Sequence, residues 1–251
     1  MKRLITLGLI LLAAPVSLLA SGSVPLDKAD IDLSNKASLQ RGFKYFMNYC
    51  YGCHSLGLTR YSRIGEDLGI PKKVLQSEVI FARDEKGEPV KVGSYLKNAM
   101  RDAYGSEAFG KAPPDLSVTA RARGADWIYT YLRGFYLDPS RPLGVNNTAF
   151  DNVGMPHVLW ELQGWQVLKK PEHGDGHDTG HEQGELVLAK PGSVSPVEYD
   201  QIVRDITNFL AYQAEPVREK RLQTGIFVML FLFVFFVAAY FLKKEYWKDV
   251  H

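Results

Sequence analysis

The sequence is short of cysteine, of internal repetition and of any large excess of basic charge. Only two of its 251 residues are cysteines. Small exported domains often depend on several disulfides. Two cysteines three positions apart cannot supply that framework, and a bridge closing so short a loop would add little stability. No segment repeats another, which excludes a solenoid or a repeat array. The formal charge is only +2, and it resides at the ends: Lys2 and Arg3 at one terminus, Lys243, Lys244 and Lys248 at the other. Between Val24 and Arg221 acids outnumber bases by one. A nucleic-acid-binding domain needs a basic face, so no nucleic-acid partner is expected.

Two apolar runs are present, with different meanings. Residues 1–20 begin with Lys2-Arg3, continue through an apolar stretch from Leu4 to Leu12, and end in small and apolar residues before Ser21-Gly22-Ser23. That order describes a secretory signal peptide, with an uncleaved N-terminal anchor as the alternative. Gly225 to Leu242 is an 18-residue run without a charge, long enough for one transmembrane helix. Bases flank both of its ends, and Tyr240, Tyr246 and Trp247 suit a membrane interface. The flanking bases balance, so they do not orient the helix. The signal peptide does: residues 21–221 are expected outside the cytoplasm and residues 243–251 inside.

Helical periodicity dominates the exported part. Leu39, Phe43, Phe46, Met47 and Cys50 share one face of a helix ending at the first cysteine. A second helix is predicted from Asp126 to Phe135. A third runs from Pro196 to Ala214, opened by a Ser195/Glu198 capping box and closed by Pro216. Gly42, in the first helix, marks either a close approach of the last helix or a merely tolerated glycine. Ala112-Pro113-Pro114-Asp115 and the stretch 138–154 read as turns. Residues 172–185 carry no apolar side chain and read as a solvated loop. The fold class is therefore mainly α: a small helical domain with long loops, followed by one C-terminal transmembrane helix.

The chemistry centres on Cys50-Tyr51-Gly52-Cys53-His54. C-x-x-C-H is a c-type haem attachment pattern. Two thiols in this spacing can each add to a haem vinyl group, and the next histidine is placed to bind iron. One covalently bound haem c is the expected cofactor. A zinc site would pair Cys50 and Cys53 with His173, His177 or His181, whose spacing of four is ligand-like. Those histidines lie about 120 residues away in a glycine- and acid-rich loop, farther than finger-type pairs. A thioredoxin-like redox pair lacks the surrounding strand–helix alternation. The iron also needs a sixth ligand or an open face. Met1 and Met229 lie in apolar end segments, Met47 belongs to the apolar stripe, and Met100 reads as a helix or turn residue. Met155, in Gly154-Met155-Pro156, is flanked by residues that can hold a loop across a haem. A thioether there would favour reduced iron; His157, two residues on, is the other candidate.

These motifs together resemble bacterial members of the cytochrome c1 family, the haem c subunit of the cytochrome bc1 complex (ubiquinol–cytochrome c reductase). The resemblance rests on Arg41-Gly42-Phe43, the Cys50–His54 motif, Ala112-Pro113-Pro114-Asp115-Leu116-Ser117, Ala122-Arg123, Gly154-Met155-Pro156 and the single C-terminal membrane helix. It implies a cytochrome c-like helical domain with His54 and Met155 on the iron. It implies Arg123 at a haem propionate (Arg121 being the alternative), Pro114 near the proximal histidine, and Trp127 against the haem. It implies an electron carrier rather than a catalyst of substrate chemistry. The expected partners are cytochrome b and the Rieske iron–sulfur protein in one complex, and a soluble or tethered cytochrome c acceptor. The expected location is a bacterial inner membrane, crossed once, with the haem domain in the periplasm. The other readings are an anchored cytochrome c feeding a terminal oxidase or reductase, a haem sensor or peroxidase with an open iron site, and an assembly protein using Cys50 and Cys53 as a thiol pair.

Overall fold

A computed structural model describes residues 24–169 and 184–248. Residues 1–20, read above as a signal peptide, most of the histidine-rich loop, and the last three residues lie outside the described residues.

The first helix, α1 (Lys36–Tyr45), is capped by Asn35, whose side chain accepts from the Ser38 amide. It runs directly into a π turn, Phe46–Cys50, closed by Tyr51 N–H donating to the Phe46 carbonyl at 2.9 Å. Such one-residue expansions are frequent at functional sites, and this one delivers Cys50. All five residues of the predicted stripe are buried. There follow β1 (Leu56–Arg60), α2 (Tyr61–Leu68), β2 (Tyr95–Leu96) and α3 (Asp102–Phe109). Next come α4 (Thr119–Arg123) and α5 (Ala125–Arg133). Gly124 separates the last two at φ 90°, a conformation that glycine adopts without Cβ strain. The predicted helix was to reach Phe135. It ends at Arg133, and Phe135 instead opens β3 (Phe135–Leu137), paired antiparallel with β4 (Val145–Asn147).

After a single turn, α6 (Trp160–Gln163), the chain forms β5 (Gly164–Lys169) and β6 (Glu185–Pro191), antiparallel to each other. Then α7 (Pro196–Ala214) starts at the expected capping box, with Ser195 Oγ and the Glu198 carboxylate satisfying each other's backbone amides. The domain is mainly helical, and its β content is confined to three two-stranded ladders among the described residues.

The core is made where α1 crosses α7. Phe43 and Phe46 pack on Phe209, with ring centroids 5.2 and 5.7 Å apart. Gly42 is a close approach: a Cβ there would penetrate the Asp205 carbonyl and lie 2.7 Å from the Phe209 Cβ. Beside it Asp205, only 1% exposed, accepts from Arg41 Nε at 2.6 Å and from Ser38 Oγ at 2.6 Å. The buried charge is thus paired and hydrogen-bonded on both oxygens, without which burial would be costly.

The last helix, α8 (Arg218–Tyr246), follows a three-residue link containing Pro216 and buries none of its side chains. It is longer than the apolar run because the flanking Arg, Lys, Glu and Gln residues are good helix formers. Its 29 residues span about 43 Å at 1.5 Å each, enough for a hydrocarbon core and both interfaces. An apolar helix with every side chain exposed is a membrane anchor rather than a core element.

A candidate haem site

The attachment residues follow the π turn in a tight reversal. The Cys50 carbonyl accepts from both Cys53 N–H at 3.1 Å and His54 N–H at 2.9 Å, which holds the two sulfurs and the imidazole on one short turn. Cys50 is buried and Cys53 partly so, both as free thiols. Burial, and then the proximity of Cys53, push the Cys50 thiol up to about 12, and burial also raises Cys53. Both are therefore protonated at neutral pH.

His54 is 9% exposed. Burial lowers its pKa below the ordinary imidazole value, more than the Pro114 carbonyl and Asp115 raise it. Its Nδ1 lies 2.8 Å from the Pro114 carbonyl oxygen. A neutral imidazole in that position donates from Nδ1, and the Nε2 lone pair is left for a ligand. Histidines on metals are commonly oriented in this way by their second ring nitrogen. The resemblance implies Pro114 near the proximal histidine; the carbonyl contact itself has no side-chain signature. The whole 114–117 segment is laced to the chain after His54. Leu116 N–H donates to the Ser55 carbonyl, Gly57 N–H to Asp115 Oδ2, and Leu58 N–H to Ser117 Oγ, at 2.7 to 3.1 Å. Alongside runs a cleft of about 270 Å³ lined by Cys53, Met100, Pro113 and Asp115.

The remaining candidates meet along α5. Arg123 lies over the Trp127 ring at 5.1 Å, Trp127 stacks on Tyr131 at 4.9 Å, and the Tyr131 hydroxyl donates to Met155 Sδ at 3.4 Å. The spacing of four places Trp127 and Tyr131 on one side of α5, whereas Arg123, the last residue of α4, reaches the Trp127 ring across the break at Gly124. Tyr131 carries no site signature in the sequence, because a tyrosine within the helix predicted from Asp126 to Phe135 reads as ordinary packing. It adjoins two apolar clusters, one containing Cys50 and the other containing Phe135 and Val153 beside Met155. The Met155 loop is rigidly founded. Asn147 Nδ2 donates to the Tyr131 carbonyl at 2.8 Å, and the Asn146 side-chain oxygen accepts from Asn152 N–H at 3.0 Å. A Cβ on Gly154 would sit 2.8 Å from the Phe109 carbonyl oxygen, so the residue before Met155 must be small.

His157 lies in a different setting. Its ring stacks on Phe135 at 5.0 Å and meets Trp165 edge-on at 5.8 Å. Burial pulls its pKa down to about 4, and its Nε2 has no hydrogen-bond partner. Met100 is half-buried in the cleft beside Cys53, in a loop before α3 rather than in a helix. Arg121 is exposed, as is Arg123, but the Trp127 stack belongs to Arg123. No group of three His, Cys, Asp or Glu that could hold a bare metal ion occurs among the described residues. His173, His177 and His181 lie outside them.

The donor set suits a haem bound through Cys50 and Cys53. It offers two uncommitted thiols, an imidazole oriented through Nδ1, and a thioether on a founded loop beside stacked aromatic rings. Comparison with known proteins points to a haem protein. The profile of the cytochrome C1 family matches residues 29–184 and 187–250. The chain is 50% identical to cytochrome c1 of Allochromatium vinosum, over the full length of both. It is 45% identical, again over both full lengths, to a Nitrosomonas europaea protein named ammonia monooxygenase gamma subunit. It is 25% identical to the mitochondrial cytochrome c1 heme protein of Saccharomyces cerevisiae, covering 85% of this chain and 67% of the other. With both stretches of the family profile matched, and a full-length relative at half identity, the chain belongs to the cytochrome c1 family, whose members are haem proteins of the respiratory electron-transfer chain.

Proposed function

We propose that this chain is the membrane-anchored electron-transfer subunit of a cytochrome bc1 complex. In this reading it carries one haem c, bonded through Cys50 and Cys53 and ligated by His54 and Met155. The observation that carries the reading is the His54 Nδ1 contact with the Pro114 carbonyl, inside a C-x-x-C-H turn on a domain that precedes an apolar, fully exposed helix. The bound group supplies a one-electron iron couple. The protein's residues orient the ligands, exclude water with the α1–α7 core, and place the site near the membrane. Arg123, held over Trp127, offers a cation for a propionate. Residues 1–20 are then an export signal, residues 21–221 the periplasmic domain, residues 225–242 the membrane-crossing part of α8, and residues 243–251 a cytoplasmic tail. Cytochrome b and a Rieske protein would share the complex, and a cytochrome c would accept the electron.

Purification from native membranes under mild detergent tests this directly. Recovery with a di-haem cytochrome b and a Rieske protein is expected, with one haem per chain that survives acid–acetone extraction. Cys50→Ala or Cys53→Ala should lower that haem yield. Complete loss of haem on extraction would overturn the attachment. Recovery with a monooxygenase instead would move the chain to the role that the name of the Nitrosomonas europaea relative carries.

A further inference from the structure

We propose that Tyr131 is a positioning residue for the Met155 thioether, its hydroxyl choosing which sulfur lone pair faces the iron and raising the reduction potential. The inference rests on the reading of Met155 as the sixth ligand. A thioether sulfur is a weak acceptor with two lone pairs. The Tyr131 hydroxyl, 3.4 Å from Sδ, occupies one and leaves the other for the metal.

The donor is held on every side. Its ring lies nearly parallel to Trp127, at 4.9 Å and 16°, and edge-on to Phe135, at 5.3 Å and 73°. Its own carbonyl accepts from Asn147 Nδ2 at 2.8 Å. Asn147 ends β4, at the base of the loop whose tip is Met155. One residue therefore ties that loop at both base and tip, from a helix that also packs on the core containing Cys50. A hydrogen bond from a rigid donor costs little ordering entropy, so its geometric preference persists. The positive end of the hydroxyl dipole faces the sulfur. The oxidised iron carries one more positive charge than the reduced iron, so the dipole disfavours the oxidised state.

Tyr131→Phe removes only the hydroxyl; the ring stack and the carbonyl remain. The experiment compares wild type, Tyr131→Phe and Met155→Leu as full-length chains in membranes, by redox titration and by the near-infrared band of the oxidised haem. Tyr131→Phe should keep its haem yield and retain the band at a shifted position. Its midpoint potential should fall, so that at fixed ambient potential the reduced-to-oxidised ratio drops roughly several-fold, as for the loss of one ordinary hydrogen bond. An unchanged band and potential in Tyr131→Phe, with the band abolished in Met155→Leu, would overturn the role of Tyr131 and leave the ligand reading standing. A band that persists in Met155→Leu would remove the ligand reading, and this inference with it. A purely structural tyrosine would lower thermal stability or haem yield in Tyr131→Phe without moving the potential, which would also overturn it.

Discussion

At the scale of single residues, the site is defined by which atoms are already committed. His54 spends Nδ1 on Pro114 and keeps Nε2. Met155 sits on a loop whose neighbours are fixed by Asn146, Asn147 and the bare α-carbon of Gly154. Met100 has a comparable sulfur, yet it lines the cleft beside Cys53, whereas Met155 stands beside the stacked rings of α5. Met155→Leu should therefore abolish the near-infrared band of the oxidised protein and lower its potential, while Met100→Leu leaves the band in place. The reverse result would move the sixth ligand to Met100. Gly154→Ala should act through the same loop. The added methyl meets a backbone carbonyl that cannot rotate away, so the loop must shift, and the band should weaken although Met155 is still present.

At the scale of elements, the decisive contact is the crossing of α1 over α7. Glycine to alanine inside a helix normally stabilises by about 1 kcal/mol. At Gly42 the sign should invert, because the new Cβ would overlap the Asp205 backbone. A loss of about 1–3 kcal/mol, read by denaturant unfolding, is expected, along with weakening of the pair between Arg41 and the buried Asp205. A stabilised Gly42→Ala protein would show that the helices can separate without penalty. The N-terminal segment is held to α5 differently. Asp126 accepts from the Ala29 amide at 3.0 Å and pairs with Lys28 at 2.7 Å. The Ala29 amide first, and then Lys28, hold its carboxyl below the usual range. A carboxylate whose folded pKa is depressed stabilises the fold above its unfolded value and loses that contribution as pH falls through the folded one. The stability gap between wild type and Asp126→Asn should thus be full at neutral pH and close below about pH 4. A gap independent of pH over that range would show that the charge contributes nothing.

At the scale of the whole molecule, two parts obey different solvents. The haem domain closes its core by Ala214, and α8 begins at Arg218 without burying a side chain in it. A chain ending near Gln223 should therefore be soluble after export, with the haem and spectrum of the full chain. Quinol-driven reduction of that haem should fail or slow sharply at native concentration. The tether sets the effective concentration of partners in the membrane, and cutting it removes that advantage. Undiminished quinol-to-cytochrome c turnover by the truncated chain would show the anchor to be dispensable.

What the sequence by itself determined was everything carried by local spacing or by long uniform runs. The Cys50–His54 motif, the stripe leading to it, the Ser195/Glu198 cap and the apolar run of α8 are all of this kind, because neighbours in sequence are neighbours in space within a helix or a turn. The end of α5 at Arg133 was not legible, since Phe135 suits a helix stripe and a strand equally and only its pairing with Asn147 decided between them. The two open alternatives at Gly42 were likewise decided by α7, more than 150 residues away in the chain. The tertiary structure alone brought the Pro114 carbonyl to His54 and the Tyr131 hydroxyl to Met155. A backbone carbonyl has no sequence signature, and a hydrogen bond between distant segments depends on how the helices and loops pack, which no local pattern encodes.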